Sequence, residues 1–328
     1  MPDDLAFLSL TEAVRRIRSG DLSPVKYTQA LLDRIAAHDG QLDSFLRVLD
    51  DGALEGAALA ELAVKNGETL GPLHGVPFAL KDIVDVAGLP TTAQSQILAQ
   101  QPPKTDHAAV TAKLHDAGGI LLGKTATHEF AIGGPSFDLP WPPARNPWNL
   151  ARYPGGSSSG SGAAVAAGLV PMAIGTDTGG SVRNPATACG IVGMKPTYGR
   201  VSRRGVFPLS FSLDHVGPMT RTVADNALML NVIAGHDPGD PGSANLPTPD
   251  FTADLDKGVD GLSIGVIRHF HNRDMTAEPA MAQALEDALV VLSNLGADIR
   301  EIETAPLSDF ATCNRIILLS EAYAIHRN

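Results

Sequence analysis

Lys81 closes an apolar run, Gly75-Val76-Pro77-Phe78-Ala79-Leu80, that Ile83-Val84 then continue. An ammonium in such a setting is costly, so it tends to neutralise or to find partners. On its own, such a lysine would snorkel from the strand end or pair with Asp82 or Asp85. It is not on its own. Two glycine-dense turns follow, Pro154-Gly155-Gly156-Ser157-Ser158-Ser159-Gly160-Ser161-Gly162 and Gly175-Thr176-Asp177-Thr178-Gly179-Gly180-Ser181-Val182-Arg183. Each delivers a serine on backbone that can approach a reacting group closely. Consecutive N–H groups around Gly179-Gly180-Ser181 can form a nest for an oxyanion. The segments between, Ala163–Leu169 and Met172–Ile174, are apolar and need burial, which argues against a flexible Gly/Ser linker.

Three short patterns compete for attention. Gly118-Gly119-Ile120-Leu121-Leu122-Gly123-Lys124-Thr125 has the spacing of a phosphate loop and nominates Lys124. Its centre, however, reads as a strand and its upstream neighbour as a helix, so no glycine loop is free to wrap phosphates. Gly156-Ser157-Ser158-Ser159-Gly160 has the G-x-S-x-G spacing of a nucleophile elbow and nominates Ser158. The apolar strand that such an elbow needs is absent from Trp148–Pro154, but a histidine and an aspartate downstream could complete a triad, so the alternative stays open. His128-Glu129 lacks a second histidine at position 132, which is Ile, and reads as a polar pair at a helix start.

The elements that must carry these residues alternate. Ser9-Leu10-Thr11-Glu12 is a capping box for a helix that Gly20 stops. Ser23-Pro24 opens a second helix that runs to Gly40. A strand lies across His74–Val84, a helix across Ala108–Ala117 and a strand at Ile120–Leu122. Further on come helix-like Ala163–Ala167, a helix near Val223–Ala234, a strand at Leu262–Ile267, a helix near Glu278–Leu295, a strand at Asp298–Ile302 and a helix from Leu307 to His326. Strands alternating with helices predict an α/β domain around a parallel or mixed sheet. Asp237–Asp250 reads as a surface loop.

With 328 residues, 44% apolar and 19% charged, the chain can bury a large core, and global disorder is excluded. A net charge of −11 disfavours duplex nucleic acid or an anionic membrane as partner. Two cysteines, Cys189 and Cys313, make no disulfide framework and no metal-type spacing. The acidic opening Met1-Pro2-Asp3-Asp4 is unlike a signal peptide, and no run approaches a membrane span. A soluble, reducing, cytoplasmic setting is expected.

The chain resembles the amidase signature family. The matching segments are Gly71-Pro72-Leu73-His74-Gly75-Val76-Pro77 with Lys81-Asp82, Asn146-Pro147-Trp148, Pro154–Ser158, Gly175–Ser181, Cys189–Thr197 and Asp214-His215-Val216-Gly217-Pro218. The resemblance implies a Ser–Ser–Lys triad without histidine: Ser181 as nucleophile, Ser157 as the bridging serine after a cis peptide, Lys81 as base. It also implies an oxyanion loop of Thr178, Gly179, Gly180 and Ser181, substrate contacts at Gly133, Gly134 and Ser158, and no cofactor or metal. Asp177 and Arg183 fall on family positions and are expected to form a buried structural pair. A desolvated lysine lowers its pKa, so a neutral amine can take a proton relayed through Ser157 from Ser181.

The implied fold is a single large α/β domain over residues 1–328, with a central mixed β-sheet covered by helices on both faces and an N-terminal helical segment, 1–70. The implied activity is hydrolysis of a small-molecule carboxamide, ester or carbamate through an acyl-enzyme, with no direct nucleic-acid or membrane partner and a homodimer open. Rivals are the glutaminase component of a tRNA-dependent amidotransferase, a nucleotide-binding protein using Lys124, and a dead fragment that keeps the fold. One departure is Ser159-Gly160 where the family has Gly-Gly. The other is length: the family core continues past Asn328, so the chain reads as C-terminally truncated, and a 1–328 product is expected to be weakly active or insoluble alone.

Overall fold

A computed structural model of the chain describes residues 5–327; the acidic opening, Met1–Asp4, and Asn328 lie outside the described residues. Two compact units divide it, Met1–Thr252 and Ala253–Asn328.

In the first unit both helix caps form as the sequence predicts. Ser9 Oγ accepts the Glu12 N–H at 3.2 Å at the head of α1 (Leu10–Arg18), which buries Leu10, Ala13, Val14 and Ile17. Ser23 Oγ accepts the Lys26 N–H at 3.1 Å, and Pro24 begins α2 (Pro24–Leu42). That helix runs through Gly40 and ends at Asp43, a left-handed residue with φ 50°. Two elements follow that the sequence reading leaves out, β1 (Phe45–Val48) and α3 (Asp50–Lys65). Then come β2 (Pro77–Lys81), α4 (Gln96–Ala99), α5 (Ala109–Asp116) and β3 (Ile120–Thr125). The unit is completed by α6 (Ser159–Ala166), β4 (Met172–Asp177), α7 (Arg183–Cys189), β5 (Val192–Gly193), β6 (His215–Thr220) and α8 (Val223–Ile233).

The strands form one six-stranded sheet in the order β1-β3-β2-β4-β6-β5. The central β3-β2-β4 pairings are parallel, and β1, β6 and β5 join antiparallel, so the sheet is mixed. Every residue of β2, β3 and β4 is buried. Successive strand residues face opposite sides, so helices and loops cover both faces there, and this is why those stretches read as unbroken apolar runs. Because β2 and β4 are parallel, their carboxyl ends, Lys81 and Asp177, open at one edge of the sheet. Ligand crevices of open α/β sheets lie beyond such an edge.

Lys124 lies inside β3, paired in register with Leu80. Its ammonium sits 2.6 Å from Asp82 Oδ1, with the two side chains 2% and 3% exposed. Thr92 satisfies the other carboxylate oxygen through its hydroxyl and N–H. The phosphate-loop pattern is therefore a strand closed by a buried ion pair, and the nucleotide-binding alternative is set aside. Lys124→Met should cost about 3–5 kcal/mol in denaturant melts, because it strands the Asp82 carboxylate, and ATP should not raise the wild-type Tm.

The second unit holds a parallel pair, β7 (Ser263–Val266) and β8 (Asp298–Glu301), with helices α9 (Pro279–Asn294) and α10 (Leu307–His326). Between β7 and α9 a π-helical turn spans Phe270–Asp274. Among the described residues no helix is long and apolar enough to cross a membrane.

Candidate active site

Lys81 ends β2 with no exposed surface. Its Nζ lies 2.8 Å from Ser157 Oγ and 2.8 Å from Thr176 Oγ1 on β4. Burial pushes its pKa down to about 7, although the Asp214 and Asp177 carboxylates favour the ammonium. Burial thus favours the amine far below the ordinary lysine range. Once neutral, it can accept the Ser157 proton over the same distance.

Ser157 is buried and follows a cis Gly156–Ser157 peptide. Its carbonyl accepts the His128 N–H at 3.2 Å, and the next N–H, of Ser158, donates to the Ser181 carbonyl at 3.2 Å. This bond fastens the first glycine turn to the second and sets the Ser157 and Ser181 backbones side by side. Ser181 is half-buried, the most accessible of Lys81, Ser157 and Ser181.

The second turn is wound around Asp177. This fully buried carboxylate accepts the Gly180 N–H at 2.8 Å, the Val182 N–H at 3.2 Å, and Arg183 Nε and Nη2 at 2.9 Å each. Burial pushes its pKa up, but the Arg183 hydrogen bonds and charge, with the backbone donors, outweigh that and hold it below the ordinary value. Gly180 adopts φ +128°, which a side chain would strain. Downstream, Asp214 accepts the Thr178 hydroxyl at 2.6 Å. Thr176, Thr178, Asp214 and His215 border a cavity of about 540 Å³ that Ile83, Phe207 and Leu209 help to close. Among the described residues no cluster of His, Cys, Asp or Glu could hold a metal ion.

The arrangement can do one kind of chemistry well: remove a proton from a serine and pass it to a buried amine. The family model "Amidase" matches residues 26–328. The chain belongs to the amidase family. A glutamyl-tRNA(Gln) amidotransferase subunit from Chloroflexus aggregans is 46% identical over 300 residues, covering 91% of this chain and 61% of that protein. The chain thus spans about three-fifths of the length of that relative. The native peptide amidase of Stenotrophomonas maltophilia superposes with a TM-score of 0.88 at 38% identity, over 97% of this chain and 66% of that one. A chain solved in work on a vestigial protein complex and the origins of an s-triazine catabolic enzyme reaches 0.91 at 35% identity, over 97% and 68%.

Several expectations for this amidase-family chain meet the geometry unevenly. Lys81 and Ser157 touch, and Ser181 is tied beside them. The Asp177–Arg183 pair forms, with Asp177 buried and the Arg183 side chain 54% exposed. Ser158, expected at the substrate, is fully buried, and its hydroxyl donates to the Thr176 carbonyl at 3.2 Å and accepts the Thr176 N–H at 3.1 Å. The same bonds remove it as an elbow nucleophile. Of the expected oxyanion loop, the Gly180 N–H donates to Asp177 Oδ1 at 2.8 Å. Gly133 and Gly134 sit exposed and do not line the cavity beside Thr176.

The sequence reading missed Thr176, the second hydroxyl on Lys81, although the alternation of β4, carried one residue past its end at Asp177, places Thr176 and Thr178 on one side together. It also read His128 only as a polar residue. His128 Nε2 lies 2.8 Å from the Tyr153 hydroxyl, and the two rings stack at 5.8 Å beside Gly156. Burial, then the Lys81 charge, pushes the His128 pKa down to about 4, so it is neutral beside the lysine. A Cβ on Gly156 would fall inside contact distance of His128 Nε2 and the Tyr153 hydroxyl. Gly156→Ala should therefore cost about 1–3 kcal/mol in thermal melts and reduce turnover by displacing Ser157.

Proposed function

We propose that this chain is an amidohydrolase acting through Ser181, Ser157 and Lys81. The Ser181 oxygen attacks the amide carbon while its proton passes to Ser157 and the Ser157 proton to Lys81. The N–H groups of Gly179 and Ser181 are the candidates to hold the oxyanion, with Thr178 beside them on the same loop. The proton returns by the same relay to the leaving nitrogen, ammonia or amine departs, and water repeats the cycle on the acyl-enzyme. Esters and carbamates fit the same steps. The observation that carries this is the fully buried Lys81 Nζ 2.8 Å from Ser157 Oγ, where burial lowers the pKa of the ammonium.

Intact-protein mass spectrometry during turnover of an activated amide tests it: an acyl adduct should accumulate in wild type and be absent from Ser181→Ala. The family match across both compact units supports reading 1–328 as part of one amidase domain, with its opening helices as a segment of it. A small-molecule amide is the partner we propose, in a cytoplasmic setting that suits free Cys189 and Cys313, with a homodimer as the assembly to test.

A second reading is favoured by the relatives described as glutamyl-tRNA(Gln) amidotransferase subunits. Under it the same site would release ammonia from glutamine for a partner. Ammonia release from simple amides by the isolated chain supports the first reading; strict dependence on a partner and aminoacyl-tRNA supports the second.

A further inference from the structure

We propose that the cavity beside Thr176 and Thr178 receives an uncharged apolar substituent of the substrate, aryl or branched alkyl, and excludes the zwitterionic head of an amino acid; this rests on the amidohydrolase reading of the site. The cavity lies beyond the carboxyl ends of β2 and β4, and Thr176 belongs both to its wall and to the Lys81 contact. The link to the reacting group is Thr176, whose hydroxyl meets Lys81 while its other atoms wall the cavity; under the proposal the substituent lodged here belongs to the acyl or amine part held at Ser181. Its volume of about 540 Å³ is that of a small-molecule site. The apolar wall comes from Ile83, Val206, Phe207, Leu209, Phe211 and Val216.

The charged groups in that wall already hold hydrogen-bond partners. Arg203 stacks over the Tyr198 ring at 4.7 Å, pairs with Asp240 at 3.3 Å and donates to the Phe211 carbonyl. Asp240 also accepts the Arg203 and Gly242 N–H groups at 2.7 and 2.9 Å. Arg204 pairs with Asp237 at 2.9 Å. Asp214 accepts the Thr178 hydroxyl at 2.6 Å and the Leu209 and Ser210 N–H groups at 2.8 and 3.0 Å. His215 has Nδ1 2.6 Å from the Leu213 carbonyl and Nε2 3.2 Å from Lys195 Nζ, which donates to the Pro196 carbonyl at 3.0 Å. Burial and the Lys195 charge both press His215 toward its neutral form. A carboxylate or ammonium entering would lose its water and have to break one of these pairs to be compensated. An aryl or alkyl group loses nothing and removes apolar wall from water.

The test uses calorimetric binding to Ser181→Ala of the full chain, so that it does not depend on turnover. 3-Phenylpropanamide should bind at least about tenfold more tightly than propanamide, and by a similar margin more tightly than L-glutamine. Phe207→Ala, and independently Leu209→Ala, should each erase much of that preference while the fold, checked by circular dichroism, persists. Glutamine binding as tightly as the phenyl amide, or a preference untouched in both variants, overturns the proposal. Fluorophosphonate labelling of wild type at Ser181 judges the underlying reading separately: its failure alongside phenyl-selective binding would leave the pocket and remove the mechanism.

Discussion

Lys81→Met is expected to fold and to lose roughly four orders of magnitude in kcat/KM, the largest effect of any change that leaves both serines in place. Methionine is close to the buried stem in volume and carries no charge to desolvate, so its Tm should match or exceed that of wild type. Stability should also change its pH dependence. The folded-state pKa of Lys81 is depressed from 10.5 to about 7, so between those values the unfolded chain binds more protons than the native one. Wild-type stability from this site therefore rises as pH climbs through that window, and below about 7 the full cost of the buried ammonium is in place. The methionine variant should lack that rise. Lys81→Arg should not rescue turnover, since guanidinium does not deprotonate. If Lys81→Met keeps more than about a tenth of wild-type activity, a loss under about 1.4 kcal/mol, the lysine is not the base.

Ser181→Ala should cost roughly four to six orders of magnitude, and a fluorophosphonate should label wild type within the Gly175–Arg183 peptide alone. The alternatives are chemically distinct. Ser158 has no exposed surface and spends its hydroxyl on both backbone groups of Thr176, so it has neither access nor a free lone pair aimed outward. Ser157 touches Lys81 but is buried, whereas Ser181 is half-exposed. An adduct on Ser157 in preference to Ser181 would reverse the assigned order of proton relay and attack, and one on Ser158 would restore the elbow alternative and overturn the account.

Legibility in the sequence followed local chemistry. The capping serines Ser9 and Ser23, and the long helix Leu307–His326, are decided by residues next to them, and they stand where the sequence puts them. β6 was hidden because Gly217 and Pro218 look like strand breakers. Pro218 keeps a useful carbonyl, which accepts the Met194 N–H at 3.1 Å and the Asn226 amide at 3.1 Å. β1 was hidden by its brevity and the absence of alternating burial. The start of α6 at Ser159 defies helix propensity through Gly160 and Gly162. At Gly160 any side chain would strike the Ser44 carbonyl and the Ala126 backbone, so packing dictates the glycine and the helix tolerates it.

At the site, Lys81 and the two glycine turns stood out because a buried charge and dense glycine are anomalies in composition. Thr176, His128 and Tyr153 did not, because their roles come from contacts between segments far apart in the chain. The Asp177–Gly180 bond was equally invisible, since nothing in a glycine's identity says which acceptor its N–H will meet.

The direct measurement is the titration of Lys81 itself, followed through the Cε carbon of labelled lysine by NMR, with Lys81→Met to assign the signal. A kinetic profile alone is less decisive, because a limb near 7 resembles an ordinary histidine, although His128 is held near 4 and His215 is also lowered. The account predicts one lysine signal that titrates near 7 and a kcat/KM limb that rises with the same midpoint. A Lys81 signal that stays charged to the ordinary lysine range near 10.5, with turnover already at its plateau by neutral pH, would contradict it.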